Sequence, residues 1–280
     1  MPPRKAKARP VRPAKKQYTV HVISGTHWDR EWRYTAEQSK LRLGELIDNL
    51  LDLLEREPRF KCYHLDGGSV VLDDYLSVRP EHRTRLEEHI RSGRISLVNW
   101  YTLPETYTVA PESLIRNLLV GRRVAGPLGG SMRAGYTATS YGQTSQLPQI
   151  YQGFGIESAI FYRGTNKHAV PPIFLWKGRD GTTIHGIRCF DEVTRTNWFF
   201  YVHQPVVLGK PARDLSYYYS AADHPVHMAD EGMSLSDFQI LSEDPAFRRD
   251  RKTLERALKY LRDQAYPQAI GRHVLALDME

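Results

Sequence analysis

The side chains of this sequence best placed to do chemistry are a histidine and an aspartate separated by one residue, His27 and Asp29. They follow an apolar run over residues 18–23 that is predicted to be a β-strand. Because side chains alternate along a strand with a period of two, both would point to one face. An imidazole and a carboxylate on one face make up half of a zinc site. Trp28 and Trp32 flank the pair and offer flat surfaces that can pack against sugar rings. The plainer alternative is a polar strand end whose side chains bond each other or the backbone.

Further carboxylates follow other predicted strands, namely Asp66, Glu105, Asp191 and Glu192. Glycoside hydrolysis needs two carboxylates roughly 5–10 Å apart, one to protonate the leaving oxygen and one to act as nucleophile or base. Asp191 follows an apolar strand, where partial burial would raise its pKa and suit it to donate a proton. A turn or helix-cap role is the alternative for Asp191. Arg163 is a candidate to hydrogen-bond a substrate oxygen, with a structural ion pair as its alternative.

Other motifs point away from nucleotide and phosphate chemistry. Gly153-Phe154-Gly155 follows a helical stretch and precedes a strand, which is the reverse of the order in a dinucleotide-binding loop. The sequence has no Gly-x-x-x-x-Gly-Lys phosphate loop. His224 and His227 have a spacing found in metal sites, but the intervening Pro225-Val226 favours loop histidines.

The elements that must position these residues are short apolar runs alternating with helical periodicity. Strands are predicted at residues 18–25, 60–65, 95–100, 132–137, 156–162, 183–190 and 273–278, and helices at 36–56, from Pro80, and at 112–124, 145–152 and 252–264. This alternation predicts a parallel α/β sheet, open or closed as a barrel, with its sites at the carboxyl ends of the strands. Asp180-Gly181 predicts a hairpin turn between residues 173–176 and 183–190. Residues 197–235 fit neither period.

The charge of the chain is concentrated at its start. Of 39 Lys and Arg residues, seven lie within residues 1–16, which hold no acid, so the remainder carries 32 basic against 32 acidic side chains. The balanced remainder argues against a nucleic-acid surface, although the basic segment alone leaves an RNA- or membrane-associated role open. We expect residues 1–17 to be a disordered basic tail and residues 18–280 to be one domain. The sequence shows no signal-peptide core and no membrane span, and association of identical copies stays open.

The two cysteines, Cys62 and Cys189, lie in different segments and predict neither a disulfide framework nor a cysteine zinc site. Two unpaired thiols are typical of a reducing compartment, so we expect a cytoplasmic location.

Several of these segments together resemble the N-terminal catalytic domain of glycoside hydrolase family 38, the α-mannosidases. The resemblance covers roughly residues 18–192 and rests on five stretches, which are Gly25 to Trp32, Trp100 to Glu105, Pro111 to Leu119, Ser140 to Ile156 and Ala159 to Gly164. It implies a parallel-stranded, seven-stranded β/α barrel-like domain, incomplete at its C-terminal end. It also implies retaining hydrolysis of mannose-containing oligosaccharides or glycosides, with a zinc ion that holds the sugar.

Carried over by position, the resemblance implies that His27 and Asp29 are zinc ligands and that Trp32 stacks on the sugar. It implies that Arg163 lies near the catalytic carboxylate and that Asp191 is the acid/base. We also predict substrate contacts for Asp66, Trp100 and Glu105 on the same rim.

One departure from the family pattern concerns the nucleophile. The family usually has Pro-Asp-Ser-Phe-Gly-His where this chain has Ala138-Thr139-Ser140-Tyr141-Gly142-Gln143, so Thr139 occupies the position of the nucleophilic, zinc-binding aspartate. A hydroxyl without an adjacent base is a poor nucleophile and a poor zinc ligand. The last zinc ligand, a histidine, is expected after Glu280. Two functions stay open, a mannosidase-like hydrolase and a non-catalytic carbohydrate-binding or regulatory protein.

Overall fold

The computed structural model describes residues 18–31, 34–166, 168–189, 194–209, 211–212, 251–265 and 272–279. Its strands are β1 (Thr19–Thr26), β2 (Tyr63–Leu65), β3 (Ile95–Leu97), β4 (Gly135–Tyr136), β5 (Ser158–Phe161), β6 (Ile173–Lys177), β7 (Thr183–Arg188) and β8 (His273–Met279). Its α-helices are α1 (Ala36–Arg56), α2 (Val70–Val78), α3 (Arg83–Arg91), α4 (Pro111–Ala125), α5 (Leu147–Gly153) and α6 (Arg251–Ala265). Short 3-10 turns cover Pro80–His82, Gly126–Leu128 and Thr194–Thr196, and a π-helix covers Phe199–Leu208. The predicted α/β alternation is confirmed.

The first sheet has the order β3-β2-β1-β8, and every pair in it is parallel. The register pairs Thr26 of β1 with Leu65 of β2, and Leu65 with Leu97 of β3. The carboxyl ends of β1 and β2 therefore lie side by side, and the residues that follow them meet at one edge.

The second sheet has the order β4-β5-β7-β6. Its first three strands are parallel, and β6 runs antiparallel to β7 through the predicted turn, in which Gly181 has a φ of 91°. The hairpin prediction is thus confirmed. The prediction of one continuous seven-stranded sheet is not confirmed, because the first sheet has four strands and no ladder between described residues joins it to the second. A single bond from Met132 N to Leu97 O (2.9 Å) links the approach to β4 with β3.

The helix α1 has the bounds that its periodicity predicted. Thr35 caps it, accepting a hydrogen bond from Gln38 N (3.3 Å) while the Gln38 side chain accepts one from Thr35 N (3.1 Å). Its apolar face packs with α2, α3, β2 and β3 in one core, which includes Leu43, Ile47, Leu51, Leu54, Leu65, Leu72, Tyr75, Leu86, Ile95 and Leu97. The helix α2 was not predicted, because five of its nine residues are buried and its exposed polar side is short, comprising Asp73 and Ser77.

A central cluster joins the two sheets. Side chains of β4 and β8 and of the residues just after β3, β4 and β7 pack together in it, including Val98, Tyr136, Ala138, Cys189, Leu277 and Met279. Cys189 is buried, Cys62 is half-buried, and both are unpaired, as predicted. No helix in the described ranges is long and apolar enough to cross a bilayer.

The outer edge of β8 is covered by an asparagine side chain. Asn197 is fully buried, donates from Nδ2 to Leu275 O (3.1 Å) and accepts at Oδ1 from Leu277 N (2.6 Å). Its amide therefore bonds to the strand as a neighbouring peptide group would.

Candidate functional site

The predicted half-site forms where β1 and β2 end. The His27 ring donates from Nδ1 to Oδ2 of Asp66 (2.9 Å), and its Nε2 lies 3.5 Å from Oδ1 of Asp29. The bond to Asp66 places the ring proton on Nδ1 and leaves the Nε2 lone pair toward Asp29 when the ring is neutral. This is the orientation that a carboxylate gives to a metal-binding histidine.

Asp66 is fully buried, and both of its oxygens are occupied within the protein. Besides His27, it accepts from Trp28 N at Oδ1 (3.1 Å) and from the Tyr136 hydroxyl at Oδ2 (3.1 Å). Burial opposes its ionisation, but the hydrogen bond and charge of His27 outweigh burial and lower the pKa of Asp66. The prediction that Asp66 contacts substrate is therefore wrong. It orients His27, a role that its position after a strand did not reveal.

His64 and Tyr136 complete the interior behind this pair. His64 is buried, its Nδ1 lies 3.2 Å from Ser96 Oγ, and its ring meets that of Tyr136 edge-on at 5.5 Å. Burial lowers the pKa of His64 and outweighs the neighbouring charge of Asp66, which acts to raise it.

Asp29 is 46% exposed, so its carboxylate faces solvent beside the His27 ring. Two ligands bound to tetrahedral zinc at roughly 2.0–2.2 Å lie roughly 3.3–3.6 Å apart, which matches the 3.5 Å separation of His27 Nε2 and Asp29 Oδ1. No group of three or more His, Cys, Asp or Glu side chains with metal-binding geometry occurs in the described part of the chain. The described residues therefore supply two of the four ligands that a tetrahedral zinc ion needs, His27 and Asp29.

Trp100 does not lie on the rim. Its ring is fully buried, donates from Nε1 to Tyr136 O (2.7 Å) and packs on Tyr151 with the ring centroids 5.8 Å apart. The predicted contact of Trp100 with substrate is wrong, since neither face of the ring is accessible and its only polar side-chain atom is bonded inside the protein.

Glu105 anchors the loop that carries Thr139. Its Oε1 accepts from the Ser140 hydroxyl (2.7 Å) and its Oε2 accepts from Tyr141 N (2.8 Å). Burial opposes its ionisation, but these hydrogen bonds outweigh burial and lower the pKa of Glu105. Its predicted contact with substrate stays a prediction, and the contacts that the structure shows hold the loop.

Thr139 and Arg163 follow β4 and β5, at the ends where the site is predicted. Thr139 is half-buried, and its hydroxyl has no hydrogen bond to any residue that the structure describes. The Arg163 guanidinium lies 5.4 Å from the ring centre of Tyr141, which is 81% exposed. Tyr141 was not predicted as a site residue, although its place in the loop two residues after Thr139 was a usable signal.

Trp32 and Asp191 lie outside the described residues, as do His224 and His227. The roles predicted for Trp32 in stacking and for Asp191 in proton transfer therefore stay predictions.

Comparison with known proteins agrees with the resemblance. A protein of Halalkalibacterium halodurans named “Putative mannosylglycerate hydrolase” is 33% identical over 182 residues, covering 60% of this chain and 20% of that protein. Alpha-mannosidase 2C1 of Homo sapiens is 24% identical over 176 residues, covering 60% of this chain and 16% of its own length. The chain thus spans about a fifth or less of these relatives.

A solved structure of similar fold is an alpha-mannosidase from Enterococcus faecalis V583. It superposes with a TM-score of 0.71 at 25% identity and covers 94% of this chain and 25% of its own. Residues 17–231 match the sequence model of the glycosyl hydrolases family 38 N-terminal domain. With a match over more than three quarters of its length, the chain belongs to glycosyl hydrolase family 38, as a representative of its N-terminal domain.

Proposed function

We propose that the chain is the sugar-binding N-terminal part of a glycoside hydrolase that acts on α-mannosides. The observation that carries this proposal is the His27 ring, fixed through Nδ1 by buried Asp66 while Nε2 lies beside the exposed Asp29 carboxylate. Membership of family 38 and the names of the mannosidase relatives support the substrate class.

We further propose that zinc binds to His27 Nε2 and Asp29 Oδ1, with Asp66 as the carboxylate that orients the histidine. Bound zinc would supply a Lewis acid that holds adjacent sugar hydroxyls. The bond to Asp66 fixes His27, and Asp29 already lies 3.5 Å from its Nε2, so the pair needs little rearrangement to bind the ion.

In the loops that follow β4 and β5, Tyr141 and Arg163 provide groups suited to a sugar. The Arg163 guanidinium can donate to ring or hydroxyl oxygens, and the exposed Tyr141 ring offers an apolar face to the C–H groups of the sugar. We assign stacking to Trp32 and proton donation to Asp191 on the basis of the family resemblance.

A single observation favours a second candidate function, a non-catalytic sugar-binding protein. Retaining hydrolysis requires a carboxylate that attacks the anomeric carbon. The residue in that position is Thr139, whose hydroxyl has no base bonded to it in the described residues. Glu105 bonds to the neighbouring loop residues and is not free to replace it.

The test separates binding from turnover. Purified chain with zinc is assayed for cleavage of an aryl α-mannoside, for zinc content and for heat on titration with mannose. We expect Asp29→Ala to remove zinc and to weaken mannose binding at least tenfold, while the matched exposed variant Asp52→Ala on α1 retains both. Turnover that Asp29→Ala abolishes supports the hydrolase, and binding without turnover supports the second function. Wild-type protein that neither binds nor cleaves mannosides contradicts both.

Thr139→Asp tests the role of the substituted position. We expect this variant to bind zinc more tightly than the wild type, because a carboxylate replaces a neutral hydroxyl, but to remain well below full activity because a further ligand is still needed. Robust turnover from this one change would contradict the incomplete-site proposal.

We also propose that the two sheets together form one barrel-like wall. The seven parallel strands follow the order β8-β1-β2-β3 in one sheet and β4-β5-β7 in the other, and the central cluster draws side chains from both. The two unpaired cysteines support a reducing compartment, and we propose the cytoplasm.

A further inference from the structure

A second cavity lies away from the half-site, between the end of α4 and the residues that lead into β4 and β5. It has a volume of about 320 Å³, and the residues used in the argument are Asn99, Arg122, Gly126, Ser131 and Arg133. Ser131 and Arg133 precede β4, whereas Thr139 follows it. The cavity and the proposed sugar site therefore occupy opposite ends of the same strand.

The lining of this cavity is positively charged. It contains two arginines and no carboxylate, although basic and acidic side chains balance over residues 17–280. Arg133 has no hydrogen bond or ion pair with any part of the chain that the structure describes. The unpaired guanidinium is thus available to an anion from solvent.

Arg122 is held in place at the mouth of the cavity. It donates from Nη2 to Phe154 O, and its guanidinium lies 4.8 Å from the centre of the Phe154 ring. These contacts use one of its five N–H groups and leave the others for a ligand. The negative end of α4 offsets part of the Arg122 charge, so Arg133 is the stronger anion-binding group.

Small polar groups stand beside the arginines. The Ser131 hydroxyl and the backbone N–H groups of Ser131 and Arg133 have no hydrogen bond among the described residues. Asn99 is 1% exposed and forms part of the wall, donating from Nδ2 to Met132 O (2.5 Å) while its Oδ1 has no donor. The wall therefore combines free donors with one buried acceptor that the chain itself leaves unsatisfied.

We propose that this cavity is a binding site for a small hydroxylated oxyanion, with its phosphate or carboxylate on Arg133 and Arg122 and its hydroxyls toward Ser131 and Asn99. The volume suits a ligand of a few carbon atoms rather than an oligosaccharide. The site is independent of the proposed sugar site, because it shares no residue with His27, Asp29, Asp66, Thr139 or Arg163.

Calorimetric titration of the full chain tests this site with four probes, namely inorganic phosphate, glycerol 3-phosphate, glycerate and glycerol. We expect saturable binding of one glycerol 3-phosphate or glycerate, weaker binding of phosphate, and none of glycerol. The stronger of the first two probes identifies the anionic group as phosphate or carboxylate. No saturable heat from any of the three anions would overturn the proposal.

Two variants and a control locate the binding. Arg133→Gln should weaken it at least tenfold, because a charge-assisted pair is lost. Gly126→Met should abolish it, because a Cβ at Gly126 meets nothing within 4 Å and the longer side chain fills the cavity. Arg123→Gln removes the same charge from the neighbouring position outside the lining and should change affinity less than twofold. Equal losses in Arg123→Gln and Arg133→Gln would show nonspecific attraction and reject the site. Thermal unfolding without ligand confirms that each variant folds, and mannose titration reports the sugar site separately.

Discussion

At the scale of single residues, the candidate site depends on a buried carboxylate that the reaction itself does not use. Asp66 has three donors around it and no contact with solvent, so its ionised form is stabilised by hydrogen bonds from His27, Trp28 N and Tyr136 within the protein. Its negative charge in turn favours one tautomer and one orientation of the His27 ring. Asp66, which was predicted to touch substrate, thus acts on the candidate site through His27.

Replacing Asp66 with Asn should reduce zinc affinity by about 10–100-fold, the range found when a carboxylate behind a metal-binding histidine is lost. Competition with a chromogenic chelator measures the affinity directly. The control Asp52→Asn removes an exposed carboxylate from α1 and should leave it unchanged. Unaltered zinc affinity in Asp66→Asn would mean that Asp66 does not orient a ligand.

A second acid, the half-buried Asp278, makes stability depend on pH. It lies on β8 next to Ser24 of β1 in the register, and burial raises its pKa to about 6. The unfolded chain loses this proton near pH 4, so the free energy of unfolding falls as pH rises from about 4 to 6 and then stays lower by roughly 3 kcal/mol.

Asp278→Asn should remove this pH dependence. We expect variant and wild type to be similarly stable at pH 4, with the variant more stable at pH 7.5 by up to roughly 3 kcal/mol. Urea unfolding at the two pH values checks this. A variant less stable than wild type only at pH 7.5 would show that the ionised carboxylate contributes favourably.

At the scale of elements, the segments after β1 and β2 are held by contacts that a sequence pattern does not show. Arg30 donates to both oxygens of Asp74 on α2 (2.7 and 3.1 Å), which ties the segment carrying Asp29 to a buried helix. The turn from β2 into α2 bonds through Ser69 N to Trp100 O (2.9 Å) and through Val70 N to Tyr101 O (3.0 Å). Trp100 therefore serves the site as a buried support for this turn.

Gly68→Ala tests that turn. Gly68 has a φ of 89°, and a Cβ there would collide with the carbonyl group of Tyr101, so we expect a loss of about 3 kcal/mol or more in unfolding free energy. Gly93→Ala is the matched control, because Gly93 has a φ of 75° with open space around it and should lose only about 1 kcal/mol. Equal losses in the two variants would mean that the close contact with Tyr101 contributes nothing.

The elements themselves were largely predictable, while the site was predictable only in part. The helix α1 and the Asp180-Gly181 turn are determined by residues close together in the sequence. A sequence pattern can therefore predict them, and both predictions were confirmed. Burial depends on distant partners, which is why α2 was missed and Trp100 was misplaced on the rim. The nearness of His27 and Asp29 was predicted from their spacing of two residues, although β1 ends at Thr26 before both, whereas the bond to Asp66 joins residues 39 positions apart.

At the scale of the whole molecule, two mostly parallel sheets share one central cluster and present their carboxyl ends to the candidate site. The first sheet supplies the two proposed metal ligands and Asp66, and the second supplies Thr139 and Arg163. The sugar binding that we propose therefore requires both sheets to keep their relative position. The central cluster of Val98, Tyr136, Cys189, Leu277 and Met279 provides that connection.

Asn197→Ala tests how far one side chain stabilises this arrangement. The change leaves Leu275 O and Leu277 N without partners, so we expect a loss of about 2–4 kcal/mol in unfolding free energy, measured by urea denaturation. Asn166→Ala removes an exposed side chain whose one hydrogen bond among the described residues is accepted from His168 N, and it should cost less than about 1 kcal/mol. A loss in Asn197→Ala no greater than that of the control would contradict this role.

The amide of Asn197 also has a consequence for self-association. β8 has β1 on one side, and on its other side the strand groups that Asn197 occupies would be open to a strand from another molecule. Freed of that side chain, the edge would become a template for intermolecular β-pairing. We therefore expect Asn197→Ala to form thioflavin-positive assemblies at concentrations at which the wild type stays monodisperse, unless the bond from Arg195 Nε to Met279 O (2.9 Å) is enough to keep the edge covered.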